Sequence, residues 1–125
     1  MSEAIGRRVW AVGDGYIPRW SEGPQPELKS HGSLGILNTC KGTAHIELTV
    51  FFNDREPAGP YRITVDGRRT RHVRLNELKE PEPLPTGEDF ALVLESDLPV
   101  VVQHTRLDSR QSENGLFSTL AFAAV

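Results

Sequence analysis

The segment of this chain that most resembles an active site is VVQHTRLDSRQSENG, residues 101–115. It contains His104, Asp108, Ser109 and Ser112, the residue types of a hydrolytic triad. In a triad an acid orients the histidine, which takes the proton of a serine hydroxyl so that the oxygen can attack a carbonyl carbon. Whether these side chains can meet depends on the local structure that carries them.

A predicted β-strand keeps the members of this set apart. Residues 99–107 are rich in valine and favour a strand, in which successive side chains alternate between two faces. His104 and Asp108 would share a face about 13 Å apart, whereas a triad needs contacts of about 3 Å. The segment also lacks the G-x-S-x-G pattern of a nucleophile elbow. We therefore predict that the protein is not an enzyme and has no catalytic residues.

A structural role accounts for the same residues. His104 lies two and four residues after Val102 and Val100, so its side chain is on the same face of the predicted strand. We therefore expect its ring to be partly buried and hydrogen-bonded. Asp108-Ser109 and Asn114-Gly115 are pairs typical of turns, because their short side chains bond nearby backbone groups.

The histidines and the one cysteine do not form a metal-binding pattern. The histidines stand at 31, 45, 72 and 104, whereas zinc and copper sites normally contain ligands a few residues apart. Cys40 alone excludes an internal disulfide and a multi-cysteine zinc site. Gly13 and Gly15 precede no helical pattern, so they do not predict a phosphate-binding loop. We expect no metal and no cofactor.

The elements that must position any site are short strands, because no segment has a convincing helical period. Residues 43–53 alternate between apolar and polar side chains, as in a half-buried antiparallel strand. Asp66-Gly67 favours the tight turn of a β-hairpin between its two flanking strands. Eight strands are predicted: 7–12, 34–39, 43–53, 61–65, 69–75, 90–96, 99–107 and 116–125.

Eight strands with no helix to cover them must bury their apolar faces against one another. We therefore predict an all-β protein, an eight-stranded antiparallel two-sheet sandwich of jelly-roll or Greek-key type with little or no helix. Its 125 residues are expected to form one domain, 1–125. Two long loops, 13–33 and 76–89, are expected to contact partners, since such loops are usually functional.

Charge is distributed unevenly along the chain. Residues 62–74 contain five arginines and one aspartate, whereas residues 75–97 contain seven acids and one lysine, within a net charge of −3. The arginine-rich strand could be a solvated edge, attract phosphates as in salt-sensitive DNA binding, or meet the acidic region of a neighbouring subunit. The candidate residues for a partner or an anion are Arg68, Arg69, Arg71, His72, Arg74, Arg106 and Arg110.

A second hypothesis is a small-ligand-binding module. Tyr16, Trp20, His72 and His104 would build its pocket at a subunit junction, where rigid aromatic side chains lose little entropy on binding. The chain has neither a long apolar run nor the apolar stretch of a signal peptide at its start. We therefore expect a soluble, cytoplasmic protein that does not insert into a membrane.

Six segments resemble the soluble sensory rhodopsin transducer family of bacteria, and the resemblance spans almost the whole chain. They are GYIP (15–18), GPQPEL (23–28), ILN (36–38), EPAGPYRITV (56–65), RRTRHVRLNEL (68–78) and VVQHTRLDSRQSEN (101–114). The resemblance implies an eight-stranded β-sandwich that assembles as a cytoplasmic homotetramer without enzymatic activity. It also implies a signalling role, with a membrane rhodopsin as partner, DNA binding as a proposed output and, in other members, a sugar-like small molecule as a suggested ligand.

Overall fold

The computed structural model describes residues 4–17, 31–108 and 115–124. These ranges contain seven strands of six or more residues, a two-residue strand and one 3₁₀ turn. The predicted strands at 90–96 and 99–107 are one continuous strand, and the predicted last strand is divided in two. The elements are β1 (Arg7–Tyr16), β2 (His31–Asn38), β3 (Ala44–Phe51), β4 (Ala58–Val65), β5 (Arg69–Arg74), the 3₁₀ turn (Leu75–Glu77), β6 (Asp89–Asp108), β7 (Gly115–Leu120) and β8 (Phe122–Ala123).

The strands form two antiparallel sheets that share β6. In sheet A the order is β4-β3-β6-β1-β8, and the first half of β6 pairs with β3 and β1. In sheet B the order is β5-β2-β6-β7, and the second half of β6 pairs with β2 and β7. The predicted all-β, antiparallel two-sheet sandwich is confirmed.

The core consists of the side chains that the two sheets point toward each other. In β3 the residues Ala44, Ile46, Leu48 and Val50 are buried, as their alternation predicts, while His45 and Glu47 are exposed. Fully buried residues of the other strands complete the layer, among them Leu34 and Ile36 of β2, Ile63 and Val65 of β4, and Leu92, Leu94, Val100 and Val102 of β6.

Trp10 fixes β1 against the middle of β6. Its ring is 4% exposed, and Nε1 donates hydrogen bonds to the carbonyl oxygens of Arg7 and Val100, at 3.0 and 2.9 Å. A buried indole N–H needs such an acceptor, because leaving it unpaired costs about 1–3 kcal/mol. The bond to Val100 holds β1 at the point where β6 passes from sheet A to sheet B.

The Asp66-Gly67 hairpin prediction is wrong. The flanking strands belong to different sheets, since β4 pairs with β3 and β5 pairs with β2. The turn is nevertheless specialised: a side chain on Gly67 would overlap the carbonyl group of Lys41, and Arg68 has a left-handed φ of 56°. Turn-forming residues therefore signalled a change of direction correctly, but not which strands would pair.

Asn38 joins this turn to the turn between β2 and β3. Its side chain is completely buried, and Nδ2 donates to the carbonyl oxygens of Gly42, Val65 and Asp66 at 2.9, 3.0 and 3.3 Å. Its Oδ1 accepts a hydrogen bond from the N–H of Cys40 at 3.0 Å. One side chain thus satisfies backbone groups of both turns at the same end of the sandwich.

The predicted long loop at 76–89 packs against the rest of the protein at several points. Tyr61 donates its hydroxyl proton to the carbonyl of Glu82 at 2.7 Å, and the N–H of Gly87 donates to the carbonyl of Ile17 at 2.7 Å. Leu84 is buried in the core. Of the other long loop, 18–30 lie outside the described residues.

Replacing Asn38 should destabilise the protein without changing its fold. Asn38→Ala leaves buried carbonyl groups and the Cys40 N–H without partners, and we expect it to lower the free energy of unfolding by about 3 kcal/mol. Urea unfolding followed by circular dichroism measures this loss. The control is Asn53→Ala at an exposed position, where we expect a change within about 0.5 kcal/mol. Equal effects of the two substitutions would contradict the role given to Asn38.

Candidate binding surfaces

The arginine-rich strand β5 forms one edge of sheet B. Arg68, Arg69 and Arg71 are exposed, and none of the three forms a salt bridge within the described residues. Arg69 Nη1 donates to the carbonyl of Arg68 at 3.0 Å, and Arg71 Nη1 donates to the carbonyl of Thr64 at 2.7 Å. These contacts hold the side chains of Arg69 and Arg71 without neutralising their charge. We call Arg68, Arg69, Arg71, His72 and Arg74 the arginine edge.

His72 and Arg74 lie on the outer face of sheet B, whereas Arg69 and Arg71 are in register with the buried Asn38 and Ile36 at the edge of its inner face. In register, His72 of β5 lies beside Gly35 of β2, which lies beside Gln103 of β6. A Cβ atom at Gly35 would lie 3.4 Å from Cδ2 of the His72 ring, so the glycine leaves room for the imidazole over β2. The next row, from Arg74 through Ser33 to Thr105, is also polar or charged.

His104 lies on the opposite face of sheet B and belongs to the core. It is 2% exposed and pairs with Leu34 across the β2–β6 ladder. No buried side-chain nitrogen or oxygen in the described part of the chain lacks a hydrogen-bond partner, so the ring is satisfied. The histidine expected to be partly buried is therefore almost fully buried. Ser109, the serine nearest to it in sequence among the triad candidates, lies outside the described residues.

The four small-ligand candidates do not converge within the described part of one chain. His72 and His104 point to opposite faces of sheet B, because they lie beside Gly35 and Leu34, consecutive residues of β2. Tyr16 is half-buried at the end of β1, opposite Asp89 in sheet A. Trp20 lies outside the described residues.

Two predicted contact residues have no described side chain. Arg106 lies in β6, and its backbone pairs with Gly32 and Phe117. Arg110 lies outside the described residues. The partner or anion candidates whose side chains are described are therefore the five residues of the arginine edge.

A second charged surface lies on the outer face of sheet A and was not predicted. Strands β4, β3 and β6 form a groove of about 450 Å³ at this face. Glu47 of β3 lies between Arg62 of β4 and Glu95 of β6, and the shortest Arg62–Glu47 distance is 3.4 Å. The polar side chains that line the groove include His45, Glu47, Arg62, Thr64, Glu95 and Asp97.

Asp97 and His45 are in contact within the lining of this groove, which we call the acidic groove after Glu47, Glu95 and Asp97. The backbone N–H of His45 donates to Asp97 Oδ1 at 2.7 Å, and Nδ1 of the ring lies 3.0 Å from Oδ2. The backbone hydrogen bond is the main reason that the pKa of Asp97 is lowered; the ring contact lowers it further, while slight burial opposes the shift.

Only part of this second surface was visible in the sequence. The alternation of β3 places His45 and Glu47 on its solvent face, as predicted. The acids of β6 were noted only as part of an acidic region, because nothing in a sequence specifies that Glu95 pairs with Glu47. The signal that could have found the groove is the register between β3 and β6.

The described histidine, cysteine and acidic residues are not arranged as a metal site on either surface. Within the ranges that the structure describes, no three histidine, cysteine or acidic residues are grouped so that they could hold a metal ion. Those ranges also contain no helix of the length and apolar character needed to cross a membrane. The groove can attract a basic partner, and the arginine edge can attract an anionic partner.

Comparison with known proteins assigns the fold to a family. The family model described as Anabaena sensory rhodopsin transducer matches residues 5–123. The solved structure of the Anabaena sensory rhodopsin transducer is 51% identical, with a TM-score of 0.76, and the match covers 85% of this chain and 100% of that chain. A crystal structure of Thermotoga maritima 1070 is 34% identical, with a TM-score of 0.84, over 95% and 96% of the two chains. No curated protein matches the chain.

The Asp97–His45 contact predicts a pH dependence of stability at acidic pH. Because the pKa of Asp97 is lower in the folded protein than its usual 3.8, the carboxylate contributes stability above that value, and the contribution is lost as the pH falls through the folded pKa. Asp97→Asn should therefore reduce stability at neutral pH and have less effect under strongly acidic conditions. Urea unfolding of the parent and the variant between strongly acidic and neutral pH measures this difference in stability.

A variant of the histidine separates the two hydrogen bonds. His45→Ala removes the ring but keeps the backbone N–H, so the pKa of Asp97 should remain lowered, although by less. Titration of the side-chain carboxyl groups followed by NMR measures the pKa of Asp97. A return of the pKa to its usual value in this variant would show that the ring, not the backbone, is the main cause.

Proposed function

We propose that this chain, which belongs to the Anabaena sensory rhodopsin transducer family, is a non-enzymatic signalling protein that binds a membrane photoreceptor of the rhodopsin class. The family is a signalling rather than a catalytic one. The family match over residues 5–123 is the observation that carries the proposal. The placement of His104 in the core is consistent with it, because a buried ring cannot act on a substrate in solvent.

We place the chain in the cytoplasm as a homotetramer. A protein that receives a signal from a rhodopsin must reach the receptor's cytoplasmic side, and the symmetric assembly of small domains is common. Two features of the described surface support self-association or partner binding: an edge strand with exposed arginines, and an acidic groove on another face. Oppositely charged surfaces on one chain are suited to more than one simultaneous contact.

Binding to the photoreceptor can be measured directly. A microbial sensory rhodopsin reconstituted in lipid nanodiscs should bind the protein saturably, and illumination should change its affinity. Light scattering of the free protein should give four times the chain mass of 13.9 kDa. Empty nanodiscs are the control for the rhodopsin-binding measurement. Equal retention by empty and by rhodopsin-containing nanodiscs would contradict the proposed partner.

The arginine edge is the part of the chain that we propose for DNA or another phosphate-bearing partner. Arg68, Arg69 and Arg71 are exposed, lie within one turn and strand, and form no salt bridge with any acid of the described ranges. Such groups attract phosphates by displacing counterions, so binding is strong at low salt and weakens steeply as salt rises. The net charge of −3 restricts this role to a local patch.

The salt dependence of DNA affinity tests this role. Arg69→Ala combined with Arg71→Ala removes two phosphate contacts, so the slope of log affinity against log salt should decrease by about 2. Fluorescence anisotropy with a labelled duplex measures the slope. The charge-matched control is Arg8→Ala combined with Arg62→Ala, two exposed arginines outside the edge. Binding that does not respond to salt, or a control with the same effect, would exclude the arginine edge as the DNA contact.

A further inference from the structure

We propose that the outer face of sheet A is the docking surface for a basic, amphipathic cytoplasmic segment of the photoreceptor. This inference rests on the proposed function and adds to it the location of the contact and the chemistry of the segment that binds. It depends on two neighbouring rows of side chains, one apolar and one acidic, that the strand register brings together.

The apolar row crosses sheet A from its β8 edge. Phe122 of β8 lies beside Ala11 of β1, Ala11 lies beside Val93 of β6, and Val93 lies beside Thr49 of β3. Four adjacent strands spaced about 4.8 Å apart make this row about 14 Å long. The side chain of Phe51 lies on the same face, next to Ala91.

This row is more apolar than the solvent side of an antiparallel sheet usually is. Outward positions in such sheets are normally polar, because only the inner face packs on the core. Phe122 is nevertheless 71% exposed and Phe51 41% exposed, while Ala11 and Val93 are half-buried. Grouped exposed apolar side chains of this kind mark interaction sites, and exposed aromatic rings are frequent binding hot spots.

The neighbouring row is acidic. Val9, Glu95, Glu47 and Arg62 follow one another across β1, β6, β3 and β4. Glu47 and Glu95 are exposed and directly opposite, an arrangement that is unfavourable for like charges. Arg62 approaches Glu47 to 3.4 Å, whereas Glu95 forms no salt bridge within the described residues. A cationic side chain placed beside Glu95 would remove the repulsion.

Charge complementarity selects the occupant. Cytoplasmic segments of membrane proteins are enriched in lysine and arginine. The apolar and acidic rows are two residues apart along each strand, about 7 Å. A segment with apolar side chains on one side and basic ones beside them can therefore cover Phe122 and Val93 while its cations lie next to Glu95 and Glu47.

Rhodopsin binding by surface variants tests the location. Phe122→Ser should weaken binding to rhodopsin nanodiscs about tenfold or more, as expected for an aromatic hot spot. Leu37→Ser, at a 40% exposed apolar position on sheet B, is the matched control and should bind as the parent does. Glu47→Lys with Glu95→Lys should abolish binding, whereas Glu56→Lys with Glu80→Lys changes the net charge equally at other exposed positions and should retain most of it.

Glu95→Gln distinguishes a binding role from a structural one. Because it removes a like-charge pair, the free protein should be as stable as the parent or more stable, yet rhodopsin binding should weaken several-fold and depend less on salt. Loss of stability together with loss of binding would assign Glu95 to the fold and contradict its role in docking.

A second probe separates this inference from the proposed function. A short fluorescent peptide of alternating lysine and leucine should perturb the NMR amide signals of β1, β3, β6 and β8 rather than those of β5. If rhodopsin does not bind but the peptide does so at this face, the proposed function fails and the basic-ligand surface stands. If rhodopsin binds parent and face variants equally, the inference fails alone. A changed assembly mass in Phe122→Ser with unchanged rhodopsin affinity would assign the face to a second copy and overturn it.

Discussion

The pairing of a single twenty-residue strand with four neighbours is the constraint on which the rest of this structure depends. β6 takes part in sheet A through its first half and in sheet B through its second half. Because both ladders run along one continuous backbone, the register of each sheet is linked to that of the other. A one-residue slip would turn Val100, Val102 and His104 out of the core and place their neighbours inside.

Both binding surfaces follow from these registers. β6 brings Glu95 beside Glu47 in sheet A, and β2, paired with its second half, carries β5 and therefore the arginine edge. Arg69 and Arg71 of the arginine-rich segment and Glu95 and Asp97 of the acidic segment thus lie on different surfaces, whereas Arg62 lies beside Glu47 in the groove. The basic receptor segment and the phosphate-bearing partner that we propose would then contact different parts of the structure.

The buried polar groups of the described residues have structural roles. Asn38 satisfies the backbone of two turns, Trp10 ties β1 to β6, and His104 is packed in the core. Each of these side chains is hydrogen-bonded. The fold is shared with the transducer family, but a fold alone does not define a functional site.

The sequence by itself determined the inward and outward faces of the strands and the fold class, because alternation such as that of β3 depends only on local geometry. It also placed His104 on the same inward face as Val100 and Val102, and it placed Arg69, Arg71 and Arg74 on one strand. The tertiary structure alone decided that Asp66-Gly67 connects two sheets instead of forming a hairpin, and that Glu47 meets Glu95. Pairing between distant strands is a property of the whole packed core, and short segments do not encode it.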